Sequence, residues 1–198
     1  MSLDGGVKKW EGYRVLVFQY RDALSLAEKI MMSFVFAVLT GLAAQVRFIL
    51  PVTPIPFTGQ VFAVLLSAVV LGRFYGGLSQ IFYVGLGMIG VPWFSGGLAG
   101  SLLSPTTGYL LGFIPAAFFI GWMTEKTPLA RHFFSQVLIL LLGVCIIYFF
   151  GSIYVMILTH SGVMKAFTIA VYPFIIFDIF KALSVSLITI AILPKTRY

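Results

Sequence analysis

The sequence predicts an all-α polytopic membrane protein with six transmembrane helices and both termini on the cytoplasmic side. Three observations predict it. Of 198 residues, 60% are hydrophobic and only 10% charged, with a mean hydropathy of +1.05, whereas soluble domains carry about 25% charged residues. The apolar residues gather into six runs, at 30–48, 57–71, 75–89, 109–124, 137–158 and 167–193. The basic residues then fall almost entirely on one side of the membrane that those runs define. A soluble fold would have to hide all six runs in one small core, and a small domain leaves too much of its surface in water for that.

Residues 1–25 precede the first run. They mix charges with Trp10, Tyr13, Phe18 and Tyr20. They lack the uninterrupted apolar core and small-residue cleavage site of a secretory signal, and read as a cytoplasmic or interfacial segment, with a frayed tail as the alternative. Residues 26–198 form one membrane domain. In its first run Ser33, Ala37 and Gly41 recur at intervals of four, a stripe that lets another helix approach closely. It serves either packing within the chain or docking of a partner subunit. The runs 57–71, 75–89 and 109–124 are shorter than the roughly 20 residues of a perpendicular span. Packing inside a bundle tolerates this. The third run holds Gly76, Gly77, Gly85 and Gly87, with Gly90 just after it, again suited to close helix contact.

Two connections stand out. "LPVTPIPFTGQ" (50–60) contains three prolines, and "GVPWFSGGLAGSLLSPTTGY" (90–109) is glycine-rich and uncharged. Both are too apolar for free aqueous loops. Irregular backbone at membrane depth survives only where protein buries it or it borders a cavity, so both are expected to fold back over the outer half of the bundle. With the N-terminus inside, Lys8, Lys9, Arg14, Arg21, Lys29, Arg73, Lys126, Arg131, Lys195 and Arg197 lie inside, and Arg47 and Lys165 outside. That asymmetry is a strong orientation signal. It also explains the formal charge of +7 without nucleic acid, whose binding would need a clustered basic face.

One basic residue escapes the count. Lys181 stands inside the last run with Asp178 three residues before it, a spacing that puts both on one helix face. A charge at such depth costs about 2.5–3.5 kcal/mol even on a lenient scale, so both must face the bundle interior. Three uses fit: a small-ligand site, a proton relay, or a structural ion pair. As a site, Lys181 offers a point charge for a carboxylate and Asp178 accepts from N–H groups. Phe174, Phe177 and Phe180 nearby suit an apolar ligand body. There is no phosphate-binding G-K-[ST], no G-x-S-x-G or H-E-x-x-H, and no metal-ligand spacing among Cys145, His132, His160 and the carboxylates. No enzyme is expected, no cofactor and no metal.

The blocks "PVTPIPFTGQVFAVLLSAVVLG", "GGLAGSLLSPTTGYLLGF" and "PFIIFDIFKA" together resemble the BioY family, the biotin-binding S-components of energy-coupling factor (ECF) transporters, from about Leu26 to the end. The resemblance implies a multi-pass protein of a prokaryotic plasma membrane that captures biotin from the outer face. Its partners would be a transmembrane coupling subunit and two ATPases, which alone would use ATP. It implies that Asp178 accepts from the ureido N–H groups of biotin and that Lys181 pairs with the carboxylate. Gln60, Tyr83, Trp93, Phe94 and Tyr109 would line or cap the pocket, and Ser33, Ala37 and Gly41 would meet the coupling subunit. The chain departs from the family pattern at Thr107, where a glycine is usual, and at Phe177, where a small residue usually precedes the aspartate. Two other classes remain open at this point: an ion- or proton-coupled carrier of a small carboxylic acid acting alone, and a non-transport assembly subunit.

Overall fold

In the computed structural model of the chain, residues 3–49, 51, 53–100 and 103–194 are described. Leu50 and Val52 of the proline-rich loop, Ser101 and Leu102 of the glycine-rich one, and Lys195 and Arg197 lie outside them. Seven α-helices carry the described chain: α1 (Leu3–Ala23), α2 (Leu26–Gln45), α3 (Gln60–Met88), α4 (Thr107–Lys126), α5 (Phe133–Thr159), α6 (Val163–Ala170) and α7 (Ile175–Ile192). A short antiparallel ladder joins β1 (Arg47–Phe48) to β2 (Phe57–Thr58), with Arg47 opposite Thr58. Five segments among the described residues are long and apolar enough to cross a membrane: Leu26–Gln45, Gln60–Met88, Thr107–Lys126, Phe133–Thr159 and Val163–Ile192.

The predicted second and third runs, apart from residues 57–59 and 89 at their outer ends, fall within α3, which doubles back on itself. Gln60 and Tyr83 would be about 35 Å apart along one straight helix, yet the Gln60 side chain donates to the Tyr83 hydroxyl. Gln80 likewise donates to Ser67 at 3.0 Å. The reversal is at Gly72, with φ 79° and ψ −174°, a backbone that a residue with a Cβ adopts only under strain. A Cβ there would also collide with the Glu125 carboxylate, which accepts the Arg73 N–H at 3.0 Å. Glu125 of α4 thus clamps the tip of the α3 hairpin.

α3 lies at the centre, with Val64, Leu65, Ala68 and Tyr83 fully enclosed, and α4 and α5 contribute Phe113, Ile120, Leu140 and Ile147 to the same core. α2 begins at a capping box, with Ser25 and Glu28 satisfying each other's backbone N–H, and stops before the ladder. Residues 47–48, expected at the end of the first helical run, are strand instead.

α1 is a packed helix rather than a frayed tail. Phe18 is buried, Trp10 donates to the Ala191 carbonyl at 3.2 Å, and Arg21 donates to that of Val70 at 3.0 Å. α1, the hairpin tip, the α4–α5 connection and the chain's C-terminal stretch therefore share one end of the bundle, around a cavity lined by Phe18, Val69, Thr124 and Leu193. The opposite end gathers the proline-rich loop, the glycine-rich loop and α6. There the Thr53 hydroxyl donates to the Ile169 carbonyl at 2.9 Å.

Candidate functional site

The last run is not one helix. Pro173 lacks an N–H and cannot continue a helical ladder, and the chain makes a tight turn at Tyr172–Phe174 before α7 starts. Asp178 therefore sits in the first turn of α7, where the helix dipole favours a negative charge, rather than mid-helix as the run suggested. Lys181 follows one turn later on the same face.

The two charges meet beneath the proline-rich loop. Lys181 Nζ donates to Asp178 Oδ1 at 2.7 Å, with the side chains 12% and 4% exposed. The Tyr148 hydroxyl, from α5, donates to the other carboxylate oxygen at 2.6 Å. Lys181 Nζ also lies 4.0 Å from the centre of the Phe57 ring, a cation–π contact with the base of the loop. Phe57 in turn packs on Phe177, with ring centres 4.7 Å apart. The unusual Phe177 thus stays out of the cavity and braces the residue that covers Lys181.

Gln60 and Tyr109 line the same cavity as Asp178 and Lys181, with Tyr148, Thr58, Ile55 and Phe174. Gln60, the first residue of α3, is oriented on both sides of its amide. Its oxygen accepts from Thr58 at 2.8 Å, and its nitrogen donates to Tyr83. Tyr109 lies flat on α5, where a Cβ at Gly151 would approach its ring to 2.6 Å, and its hydroxyl donates to the Ala170 carbonyl. The cavity has a volume of about 40 Å³, room for roughly three waters and far below the roughly 300 Å³ at which small-molecule pockets begin. Anything larger has to displace a wall. From the bundle's outer flank, an apolar groove between α5, α6 and α7 reaches the same Tyr148 and Asp178.

Tyr83, Trp93 and Phe94 stand one layer back. Tyr83 is fully buried behind Gln60, with the Trp93 and Phe94 rings at 5.4 and 5.5 Å. Trp93 Nε1 donates to the Tyr83 carbonyl at 2.9 Å. None of the three lines the cavity; they support Gln60. Ser33, Ala37 and Gly41 are all buried within the chain, and a Cβ on Gly41 would lie 3.1 Å from that of Trp93. Their small size serves close packing inside the chain, where all three are buried.

Tyr148, Phe57 and Thr58 are among the candidate-site residues that sequence reasoning missed. The one signal was a tyrosine in the otherwise apolar stretch "LLLGVCIIYFF", and phenol groups are common enough in membrane helices to make it weak. Among the described residues no group of three His, Cys, Asp or Glu side chains has metal-binding geometry.

Comparison with known proteins places this architecture. The sequence profile of the BioY family matches residues 16–197, beginning within α1. The "Biotin transporter BioY" of Thermotoga maritima is 39% identical over 143 residues, covering 71% of this chain and 82% of that protein. That of Rhizobium etli is 30% identical over 182 residues, covering 86% and 95%. A crystal structure of "the S-component for biotin from an ECF-type ABC transporter" superposes with a TM-score of 0.75 at 24% identity, over 84% of this chain and 93% of that one, so the fold is that of an S-component. The relatives carry transport names, and the chain, with its apolar helices, is a multi-pass membrane protein. By a family match over nearly its whole length, the chain belongs to the BioY family.

Proposed function

We propose that the chain captures biotin at the end carrying the proline-rich and glycine-rich loops, and delivers it inward as the S-component of an ECF-type transporter. The observation that carries this reading is the Asp178–Lys181 pair, held by Tyr148 and roofed by Phe57 inside an apolar bundle. Its relatives' names supply the ligand, and the site supplies complementary chemistry: an acceptor for ureido N–H groups, a cation for a carboxylate, and aromatic walls.

We read the order of events from the geometry. The two polar ends of biotin are separated by its alkyl chain, so one molecule cannot meet both charges while Lys181 stays 2.7 Å from Asp178. Lifting the loop removes the Phe57 ring from Lys181, and the flexible lysine stem swings out to take the carboxylate. Asp178 stays in place on its helix turn, held by Tyr148, and receives the ureido group. Gln60, Thr58 and Tyr109 lie within the same walls. Closing the loop again shields the charged hydrogen bonds from water and strengthens them.

The reversal at Gly72 makes α3 two arms, and we read the chain as six crossings with both termini inside. The arms are about 18 and 24 Å long. That orientation puts Arg14, Arg21, Arg73, Lys126 and Arg131 inside, as the positive-inside rule favours. A coupling subunit and ATPases would drive reorientation. They would dock on the α2 face that carries the Ser33–Ala37–Gly41 stripe, where small side chains let a neighbouring helix come close.

The test is binding of biotin, and of an analogue with its carboxylate replaced by an alcohol, to the detergent-purified chain. Truncating one partner of a buried charge pair costs about 2–5 kcal/mol, so Lys181→Ala should weaken biotin binding on the order of 100-fold while weakening the alcohol far less. Asp178→Asn should weaken both. Equal losses for both ligands in Lys181→Ala would remove the assigned role of Lys181.

A further inference from the structure

We infer that the mouth of the site holds a separate station for a small carboxylate, built where Arg47 and Ser95 face a second cavity outside the Asp178–Lys181 cavity. The inference rests on the biotin reading for the identity of the ligand and on the following geometry for the station itself.

Arg47 opens β1 directly opposite Thr58, so one ladder rung separates a residue of the inner site from a cation outside it. Thr58 lines the inner cavity; Arg47 lines an outer one of about 280 Å³, beneath Pro54 and Pro56. The two cavities share Pro56, Thr106 and Leu110 as a common wall. The guanidinium lies against the glycine-rich loop at Gly96, whose φ is 81° and where a Cβ would collide with it. Side-chain-free backbone thus gives the arginine its berth.

Of the polar side chains lining this cavity, Ser104 and Thr106 bond each other, while exposed Arg47 and buried Ser95 lack a protein counterpart among the described residues. The loops between α2 and α3 and between α3 and α4 contain no Asp or Glu, and among the described residues Arg47 makes no ion pair. Ser95 is only 6% exposed, and its hydroxyl has no hydrogen-bond partner among the described residues. A forked cation beside an unused hydroxyl donor fits an anion with two acceptor oxygens, and Arg is the side chain that pairs with carboxylate in this two-pronged way. A carboxylate that arrives from outside meets Arg47 first. Displacement of Pro56, in the shared wall, then opens the path to Lys181. Arg47 is therefore a positioning residue for arrival, and Lys181 the final partner.

Such a role has a kinetic signature. A charge that meets the ligand only in transit lowers the barrier in both directions without holding the final complex, so association and dissociation change together. The experiment is stopped-flow fluorescence of the full chain in detergent at low salt, with biotin and its neutral alcohol analogue, comparing the unsubstituted protein with Arg47→Gln, Arg47→Lys and Ser95→Ala. Arg47→Gln is expected to slow biotin association about tenfold, the low end for electrostatic guidance. Dissociation should slow in step, leaving Kd within about twofold, and the alcohol should be unaffected. Arg47→Lys should recover most of the rate, and Ser95→Ala should lose about twofold. Unchanged biotin association in Arg47→Gln overturns the station, as does equal slowing of both ligands, which would mark a defect in the loop itself. If the unsubstituted protein binds no biotin, the reading under Proposed function falls, and the ligand assigned to the station falls with it.

Discussion

The two ends of the bundle are closed by different chemistry. At the end shared by α1 and the hairpin tip, guanidinium groups are bonded to backbone carbonyls. Arg21 reaches Val70, Arg14 reaches Leu193, and Arg131 reaches Thr124 and Thr127, while Glu125 clamps the turn at Gly72. At the loop end the hydrogen bonds that tie the loops to other elements are neutral: Thr53 to Ile169, Tyr109 to Ala170, and Gln45 to the Trp93 and Phe94 carbonyls. A hydrogen bond involving a charged group contributes about 1.5–3 kcal/mol and a neutral one about 0.5–1.5 kcal/mol. The loop end is therefore the one that yields first. It is also the end whose cavity is too small for a vitamin until a wall moves. On the proposed reading, one end holds the bundle together and the other is where the ligand enters.

That contrast can be broken from either side. The largest effect is expected for Gly72→Val. It forces a branched side chain into positive φ, at about 1–3 kcal/mol, and into the Glu125 carboxylate. Thermal unfolding in detergent should show a loss of about 3 kcal/mol or more, and an unchanged melting temperature would mean that the turn is not the clamp described. Tyr148→Phe removes the donor to Asp178 and should weaken biotin binding by about 1.5–2 kcal/mol in calorimetry, with the fold intact. Equal affinity would place Tyr148 outside the site. Thr53→Val cuts one neutral tie of the loop, about 1 kcal/mol. It should speed biotin dissociation about fivefold and leave the melting temperature nearly where it was. A drop in stability without faster release would mean that the loop helps to hold the bundle together.

The residues legible in the sequence were those that would be costly in lipid without a reason. Asp178 and Lys181 announced themselves because charge inside an apolar run is expensive, and their shared face followed from spacing alone. Gln60 and Tyr109 were marked by the loop blocks that contain them. Tyr148 left little trace, since its role depends on α5 packing against the first turn of α7, a contact that no local pattern encodes. The break at Tyr172–Phe174 is written in Pro173, but the continuous hydropathy of 167–193 masked it. The small-residue stripe was ambiguous because small side chains serve an internal neighbour and an external one equally well. Trp93, which packs on Gly41 at one end of it, arrives from a loop more than 50 residues downstream.

The pairing of Asp178 with Lys181 has an electrical consequence. Alone, the two charges cancel, and the membrane field has no grip on them. Once a carboxylate joins them, the site carries one net negative charge. Any movement of that loaded site through the membrane is then work against the potential, up to about 2.3 kcal/mol per 100 mV for a full crossing. With the cell interior negative, inward carriage of the ligand runs uphill, while return of the self-neutralised site is free of that penalty. On the proposed reading, the inward stroke is the one that needs an external motor, and the return stroke carries no such electrical cost.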